Sequence, residues 1–377
     1  MLLVEKFISM LAVDFFVGVP DSKLKPLVNY LMDKYGVDNK HHLIAANEGN
    51  CVAIAAGYYL ATGKIPLVYL QNSGEGNVIN PIASLISPDV YNIPVIFVIG
   101  WRGEDGIKDE PQHKFQGKIT KDLIDLMQIK NVTLTENTTE ETLKEDLKEL
   151  KKELEEGRSI AFLVKEKALK FEKNIEYKNN NKLKREEIIE KIVEFANEDI
   201  MVSTTGKASR ELFEIRENKN MSHNNDFLTV GSMGHSSSIA LGIAISNEKE
   251  KIWCIDGDGA AIMHLGALSV IGEVKPSNLI HVLINNGAHE SVGGMPTVAK
   301  NGCEFSKIAK ACGYEYIYKV KTMWELEEAL LQTKKNKGLT FIEVMSAIGA
   351  RSDLKRPTLT PIENKQNFMD RLRRKGV

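Results

Sequence analysis

Two short polar motifs end apolar runs and could meet around an anion. Gly257-Asp258-Gly259 follows Lys251-Ile252-Trp253-Cys254-Ile255-Asp256, and Asn285-Asn286 follows His281-Val282-Leu283-Ile284. The 25 residues from 260 through 284 suffice for one crossover helix and its loops. A parallel sheet would therefore bring the carboxylate and the carboxamide together at the carboxyl ends of two strands. Oxygen donors of this kind suit hard cations, and Mg²⁺ commonly shares them with phosphate groups. Gly257 and Gly259 add close backbone approach, because no side chain screens their peptide N–H groups from an anion. Taken alone, Gly-Asp-Gly also reads as a sheet-edge turn with a capping aspartate. The Asn-Asn at the end of the second run and the strand context on each side favour the anion site.

Other segments carry chemistry of their own. Asn47-Glu48-Gly49-Asn50 follows the apolar run His42 to Ala46 and opens a helix rich in small residues. Glu48 is favoured there by the helix dipole whatever else it does. Gly231-Ser232-Met233-Gly234-His235 leads into a second small-residue helix, and Thr204-Thr205-Gly206 follows the run Ile200 to Ser203. Both could present backbone to a ligand, although Met233 equally suits ordinary packing. Trp101 to His113 is too charged for a core and dense in donors, which marks a functional loop or a solvated one with local ion pairs. Within it Arg102, Lys108 and Gln112 could meet an anionic substrate, and His113 could move a proton because imidazole changes state near neutral pH. In the tail, Arg351 and Arg356 are anion ligands or surface ion-pair partners.

The elements that must position these groups alternate in a βαβ rhythm. Strands are expected at Asp14 to Val19, His42 to Ala46, Pro66 to Leu70, Pro94 to Ile99 and Ile160 to Val164, with helices near Asn50 to Thr62 and Val78 to Ile86. Leu143, Leu147, Leu150 and Leu154 recur at helical spacing among Lys and Glu, which describes a solvated helix. The polar stretch Phe171 to Lys184 is the linker. Beyond it the rhythm restarts with helix Arg185 to Ala196, strand Ile200 to Ser203, helix Ala208 to Arg216, helix Ser236 to Ser246 and a last strand near Leu339 to Val344. The expected fold is α/β, with two doubly wound parallel-sheet domains. No residue-level repeat relates them.

Composition excludes several classes. With 377 residues, 43% hydrophobic content, 27% charged content and a formal net charge of -2, the chain has no electrostatic bias toward nucleic acid. Cys51, Cys254, Cys303 and Cys312 show neither CxxC spacing nor the density of a disulfide scaffold, so a reducing cytoplasm is the expected compartment. Charged residues at Glu5, Lys6 and Asp14 interrupt the apolar amino terminus, and no uncharged stretch approaches membrane-spanning length.

Gly257-Asp258-Gly259 with Asn285-Asn286 resembles the thiamine diphosphate motif. Joined by Val17-Gly18-Val19-Pro20-Asp21-Ser22, Asn47-Glu48-Gly49, the block from Trp101 to Thr120, the run Asn285 to Gly294 and Arg356-Pro357-Thr358, the pattern resembles the phosphonopyruvate decarboxylase family over nearly the whole chain. Sulfopyruvate decarboxylases are close relatives of that family and share much of the pattern. The resemblance implies a pyrimidine-binding domain at 1–170, a linker at 171–184, a diphosphate-binding domain at 185–350 and a tail at 351–377, with no central third domain. It implies Mg²⁺ held by Asp258, Asn286 and the carbonyl of Ala288. Further cofactor contacts would come from Thr205, Gly206, Gly231, Ser232, Met233, Gly257, Gly259 and Ala260, with Met233 as the prop beneath the bent cofactor. Glu48 would be the carboxyl that activates the pyrimidine ring, His113 a second catalytic group, and Arg102, Lys108, Gln112, His289 and Ser291 the substrate contacts. The implied reaction is non-oxidative decarboxylation of 3-phosphonopyruvate to phosphonoacetaldehyde and CO₂ in phosphonate biosynthesis. Sulfopyruvate decarboxylation and carboligation are the alternatives, and a non-catalytic nucleotide-diphosphate binding module is the reading from another class. A homodimer or larger assembly is expected, each site borrowing Glu48 from the partner. Met295 departs from the polar residue expected after Gly293-Gly294, which bears on substrate specificity.

Overall fold

The computed structural model describes residues 1–374, so the last three positions of the expected tail lie outside it. The chain clusters into two compact units, Met1–Glu176 with Ser291–Met295, and Tyr177–Glu290 with Pro296 onward.

The first unit is built on a six-stranded sheet of β1 (Phe16–Gly18), β2 (His42–Ile44), β3 (Leu67–Gln71), β4 (Ile96–Gly100), β5 (Lys130–Leu134) and β6 (Ile160–Val164). All pairings are parallel, in the order β2-β1-β3-β4-β6-β5. β4 and β6 are buried on both faces, which explains their continuous apolar composition. Val68, Leu70, Phe97, Ile99 and Leu163 form one side of the core, and Phe7 meets Phe162 edge-on across the other at 5.2 Å. Each such fully buried side chain contributes about 1.5–3 kcal/mol.

The second unit repeats this plan with β7 (Ile200–Ser203), β8 (Asp226–Leu228), β9 (Ile252–Gly257), β10 (Leu279–Asn285), β11 (Tyr316–Val320) and β12 (Thr340–Met345). Its order, β8-β7-β9-β10-β12-β11, is again all parallel. Numbered within each unit, both sheets run 2-1-3-4-6-5. The two halves therefore share a topology that no residue-level repeat betrays. Along β9, Trp253 and Ile255 enter one core while Ile252 and Cys254 enter the other, as a sheet covered on both faces requires.

This winding fixes where a ligand can sit. In each sheet the first and third strands are neighbours whose connections leave in opposite directions, which opens a crevice at their carboxyl ends. In the first unit the crevice lies between β1 and β3, where Gln71 donates to Asp21. In the second it lies between β7 and β9, which deliver Thr204-Thr205-Gly206 and Gly257-Asp258-Gly259.

The first unit also stores a titratable group outside these strands. Glu75 is fully buried, one oxygen accepts from Gln116 at 3.2 Å, and the other has no hydrogen-bond partner. Burial pushes its carboxyl up to about 8. The folded state therefore holds a proton that the unfolded chain releases near the ordinary carboxylate range. The stability this confers is complete below that range and is lost as pH rises toward about 8. Glu75→Gln should be nearly neutral for stability at pH 5 and stabilising at pH 8.5, by on the order of a few kcal/mol. Paired thermal melts across that interval check it, and a constant difference between the two proteins would contradict the assignment.

Candidate functional site

In the second unit, successive residues at the end of β10 turn opposite ways. Asn285 points into the core, where its amide donates to Glu343 at 2.9 Å, and its own oxygen accepts from the Gly287 N–H at 3.1 Å. Asn286 takes the other side. Its oxygen accepts from the Ala288 N–H at 2.9 Å, and its backbone N–H faces Asp258 at 3.4 Å. Asp258 opens the short helix Asp258–Met263 and is buried, and Thr297 donates to its second oxygen at 2.6 Å. Burial pushes the Asp258 carboxyl up to about 6, against the hydrogen bonds from Thr297 and Asn286. A dication would favour the ionised form. Nothing in the sequence spacing of Thr297 ties it to a residue 39 positions earlier.

The surrounding backbone leaves room for a ligand. A Cβ on Gly257 or on Gly206 would meet no atom within 4 Å, and Gly206 has φ +90° at the amino end of helix Lys207–Asn218. Gly259 is closed in more tightly, by Thr297 at 3.2 Å and the His289 ring at 3.5 Å. His289 keeps its Nε2 buried without a hydrogen-bond partner, and burial pushes the imidazole down to about 4. Gly234, at φ +90°, packs so closely that a Cβ would lie 2.8 Å from the Ala260 carbonyl oxygen. Ser232 adopts φ +54° with its hydroxyl 3.0 Å from His235, and Met233 is 36% exposed. Thr205 donates to the Val230 carbonyl at 2.7 Å, which joins the loop after β7 to the segment carrying Gly231.

Deeper in the same sheet, His281 Nε2 lies 3.4 Å from Asp256 Oδ2 and its Nδ1 lies 3.1 Å from the Tyr314 hydroxyl. With Cys254 these residues form a buried polar cluster beneath the strand end.

In the first unit Glu48 is the first residue of helix Glu48–Thr62, whose amino end Asn47 caps by accepting from the Asn50 N–H at 2.9 Å. Glu48 is 5% exposed, and Asn77 donates to one of its oxygens at 2.7 Å. Gly74 leaves the room its carboxyl occupies, since a Cβ there would overlap it. Burial raises the Glu48 carboxyl above its ordinary range, partly offset by Asn77.

The segment Trp101 to His113 differs from the expected loop at its end, and within it Arg102 has a local ion-pair partner. Gln112 and His113 stand in the first turn of helix Pro111–Leu126, with Pro111 at a position where no N–H is needed. Arg102 is not a free cation: its Nε donates to Asp109 at 2.7 Å, a second nitrogen reaches the other Asp109 oxygen, and Nη1 donates to Ser22 at 3.1 Å. The arginine thus braces the turn. His113 retains an unpartnered Nδ1, and burial with the Arg102 charge pushes it down to about 4, so it is neutral at physiological pH. Gln112 Oε1 is also buried without a partner, while Lys108 is exposed. Lys23, missed in the sequence, contributes positive charge near His113, and its ammonium bonds Glu166 at 2.7 Å. Ser291 is exposed, and Met295 is fully buried, which suits an apolar side chain. Arg351 pairs with Glu186, Glu214 and Asp353, the surface ion-pair reading of that residue.

Two family models match the chain in register with this division. Residues 3–127 match the thiamine pyrophosphate enzyme N-terminal TPP binding domain, and residues 204–344 match the C-terminal TPP binding domain. Together with the two parallel sheets they define a thiamine diphosphate enzyme. Over 375 residues the chain is 31% identical to a phosphonopyruvate decarboxylase of Streptomyces viridochromogenes, covering 95% of this chain and 91% of that one. It is 28% identical to a sulfopyruvate decarboxylase of Methanosarcina acetivorans, covering 96% and 94%. A sulfopyruvate decarboxylase subunit beta of Methanocaldococcus jannaschii matches 51% of this chain over 98% of its own length, at 36% identity. The chain belongs to the phosphonopyruvate decarboxylase family of thiamine diphosphate-dependent carboxy-lyases. Among the described residues no helix is long and apolar enough to cross a membrane.

Proposed function

We propose that the protein decarboxylates 3-phosphonopyruvate to phosphonoacetaldehyde and CO₂, using thiamine diphosphate and Mg²⁺. The observation carrying the substrate is the near full-length similarity to two proteins named phosphonopyruvate decarboxylases, at 31% and 30% identity. The irreversible loss of CO₂ would draw forward an uphill formation of the carbon–phosphorus bond, which suits a place in phosphonate biosynthesis.

The residues fit the cofactor. Asp258, Asn286 and the Ala288 carbonyl would hold the metal, and the open backbone at Gly206 and Gly257 would receive the diphosphate. His289, with its unpartnered nitrogen, supplies a further polar contact. When bound, the thiazolium ring accepts the electron pair left as CO₂ departs. Glu48, held by Asn77, is suited to carry a proton to and from the pyrimidine ring, since burial already favours its protonated form. His113 is neutral in the free protein. An anionic substrate beside it would raise its proton affinity, so the substrate itself would arm the acid. Lys108, exposed on the loop, and Lys23, whose charge acts on His113, are the cations proposed to meet the distal anion, with Arg102 bracing the turn.

We further propose a cytoplasmic homodimer in which each site combines Glu48 of one chain with Asp258 of the other. Exposed apolar residues on the helix that Glu48 opens, Ile54 at 37% and Leu60 at 71%, support a partner on that face. Steady-state assays with phosphonopyruvate, sulfopyruvate and pyruvate test the substrate. The expected order has phosphonopyruvate first by kcat/KM. Preference for sulfopyruvate would transfer the chain to the rival activity, and preference for pyruvate would remove the distal-anion reading altogether.

A further inference from the structure

Glu290 separates His289 and Ser291, the two neighbouring candidates for substrate contact, and has no role in the site as described so far. Its Oε1 accepts from the Asn286 side-chain amide at 2.8 Å and from the Gly349 N–H at 3.0 Å. Its Oε2 accepts from Arg185 Nη1 at 2.7 Å and lies 3.4 Å from Lys207 Nζ. Arg185 in turn donates through Nε and Nη2 to the two oxygens of Glu211, at 2.6 and 2.7 Å. The side chains of Arg185, Glu211 and Glu290 are 9%, 1% and 8% exposed, so the pairings are largely shielded from water.

The consequence falls on Asn286. A carboxamide can present either its oxygen or its nitrogen to a site, and only its neighbours decide which. Here the decision is made twice. The Ala288 N–H can only donate, so the Asn286 atom it meets is oxygen. The Glu290 carboxylate can only accept, so the atom it meets is the amide nitrogen. A flipped Asn286 would set N–H against N–H and oxygen against carboxylate.

We propose that Glu290, held by Arg185 and Lys207, is a positioning residue that locks the Asn286 carboxamide with its oxygen available to a divalent cation, and thereby sets metal affinity. The inference rests on the thiamine diphosphate and Mg²⁺ reading of the site. Partners of this outer kind commonly govern metal affinity by about 10–100-fold. Arg185 has a separate task. It lets a second buried carboxylate, Glu211, stand beside Glu290 without uncompensated repulsion, and it ties both to the start of helix Arg185–Ala196.

The test is calorimetric titration of thiamine diphosphate into apoprotein at a series of Mg²⁺ concentrations. Glu290→Ala should raise the Mg²⁺ concentration needed for half-maximal cofactor binding by about 10-fold or more. Saturating Mg²⁺ should return the cofactor affinity to within a few-fold of wild type. Glu290→Gln, which retains an acceptor oxygen and nearly the same shape, should shift the Mg²⁺ midpoint in the same direction but less, and it serves if the alanine variant does not fold. A merely structural role would lower the melting temperature and weaken the cofactor at every Mg²⁺ concentration alike, and that outcome, or an unchanged midpoint in both variants, overturns the proposal. Failure of the wild-type protein to show Mg²⁺-dependent binding would instead remove the cofactor reading beneath it.

Discussion

Glu48→Gln is expected to lower kcat by about 10²- to 10⁴-fold, the range that positioned proton transfer contributes, while cofactor binding stays within a few-fold of wild type. The separation follows from where the residue stands. Glu48 belongs to the first unit and the Asp258 strand end to the second. Glutamine keeps the length of the side chain and an oxygen that can accept from Asn77, so the capped helix and its packing against Asn77 survive. What it loses is a removable proton. Exchange of the thiazolium C2 proton with solvent deuterium should slow along with kcat, because in the proposed role both would depend on the carboxyl. Normal exchange with poor turnover would place Glu48 in a later step. Normal turnover would revive the reading of the chain as a diphosphate-binding module without catalysis.

That the sequence marks Glu48, Asp258 and Asn286 as candidates has a physical cause. Asp258 and Asn286 stand at the carboxyl ends of central strands buried on both faces, which announce themselves as continuous apolar runs, whereas Glu48 follows the short edge strand β2 and is legible from the small-residue helix that it opens. The three principal strands that went unread are all sheet edges: Lys130–Leu134, Asp226–Leu228 and Tyr316–Val320. Edge strands are short or half-exposed and carry polar side chains, so they lack that run. β8 is the extreme case. It holds Asp226, fully buried against Arg216 at 2.9 Å, and Asn364 of the C-terminal helix covers its outer edge by accepting from the Leu228 N–H and donating to the Asp226 carbonyl. The same limit applies within the site. Asn77 and Thr297 lie 29 and 39 residues from Glu48 and Asp258, and no periodicity in the chain places them there; Glu290 is only four residues from Asn286, but that run is not a regular helix whose spacing would pair them. For Arg102 the sequence leaves substrate contact and a local ion pair both open, because its partner Asp109 is fixed only by the turn between them.

The second large effect belongs to Asp258. Asp258→Asn keeps the shape that accepts from Thr297 but removes the charge, and it should weaken Mg²⁺-dependent cofactor binding by more than about 100-fold, since outer partners of a metal ligand alone are worth about 10–100-fold. Calorimetry with thiamine diphosphate at fixed Mg²⁺ measures this, and binding like that of wild type would mean that the metal is held elsewhere. The two dead variants then become informative together. If each site joins Glu48 of one chain to Asp258 of its partner, a dimer of one E48Q chain with one D258N chain carries both lesions in one site and none in the other. Unfolding and refolding an equal mixture should recover about a quarter of wild-type activity, because half the random dimers are mixed and each has one intact site of two. In a site made within one chain, every site in the mixture carries a lesion and activity stays at the level of the separate variants. The outcome distinguishes a shared site from a self-contained one without reference to how the two units of a single chain are arranged.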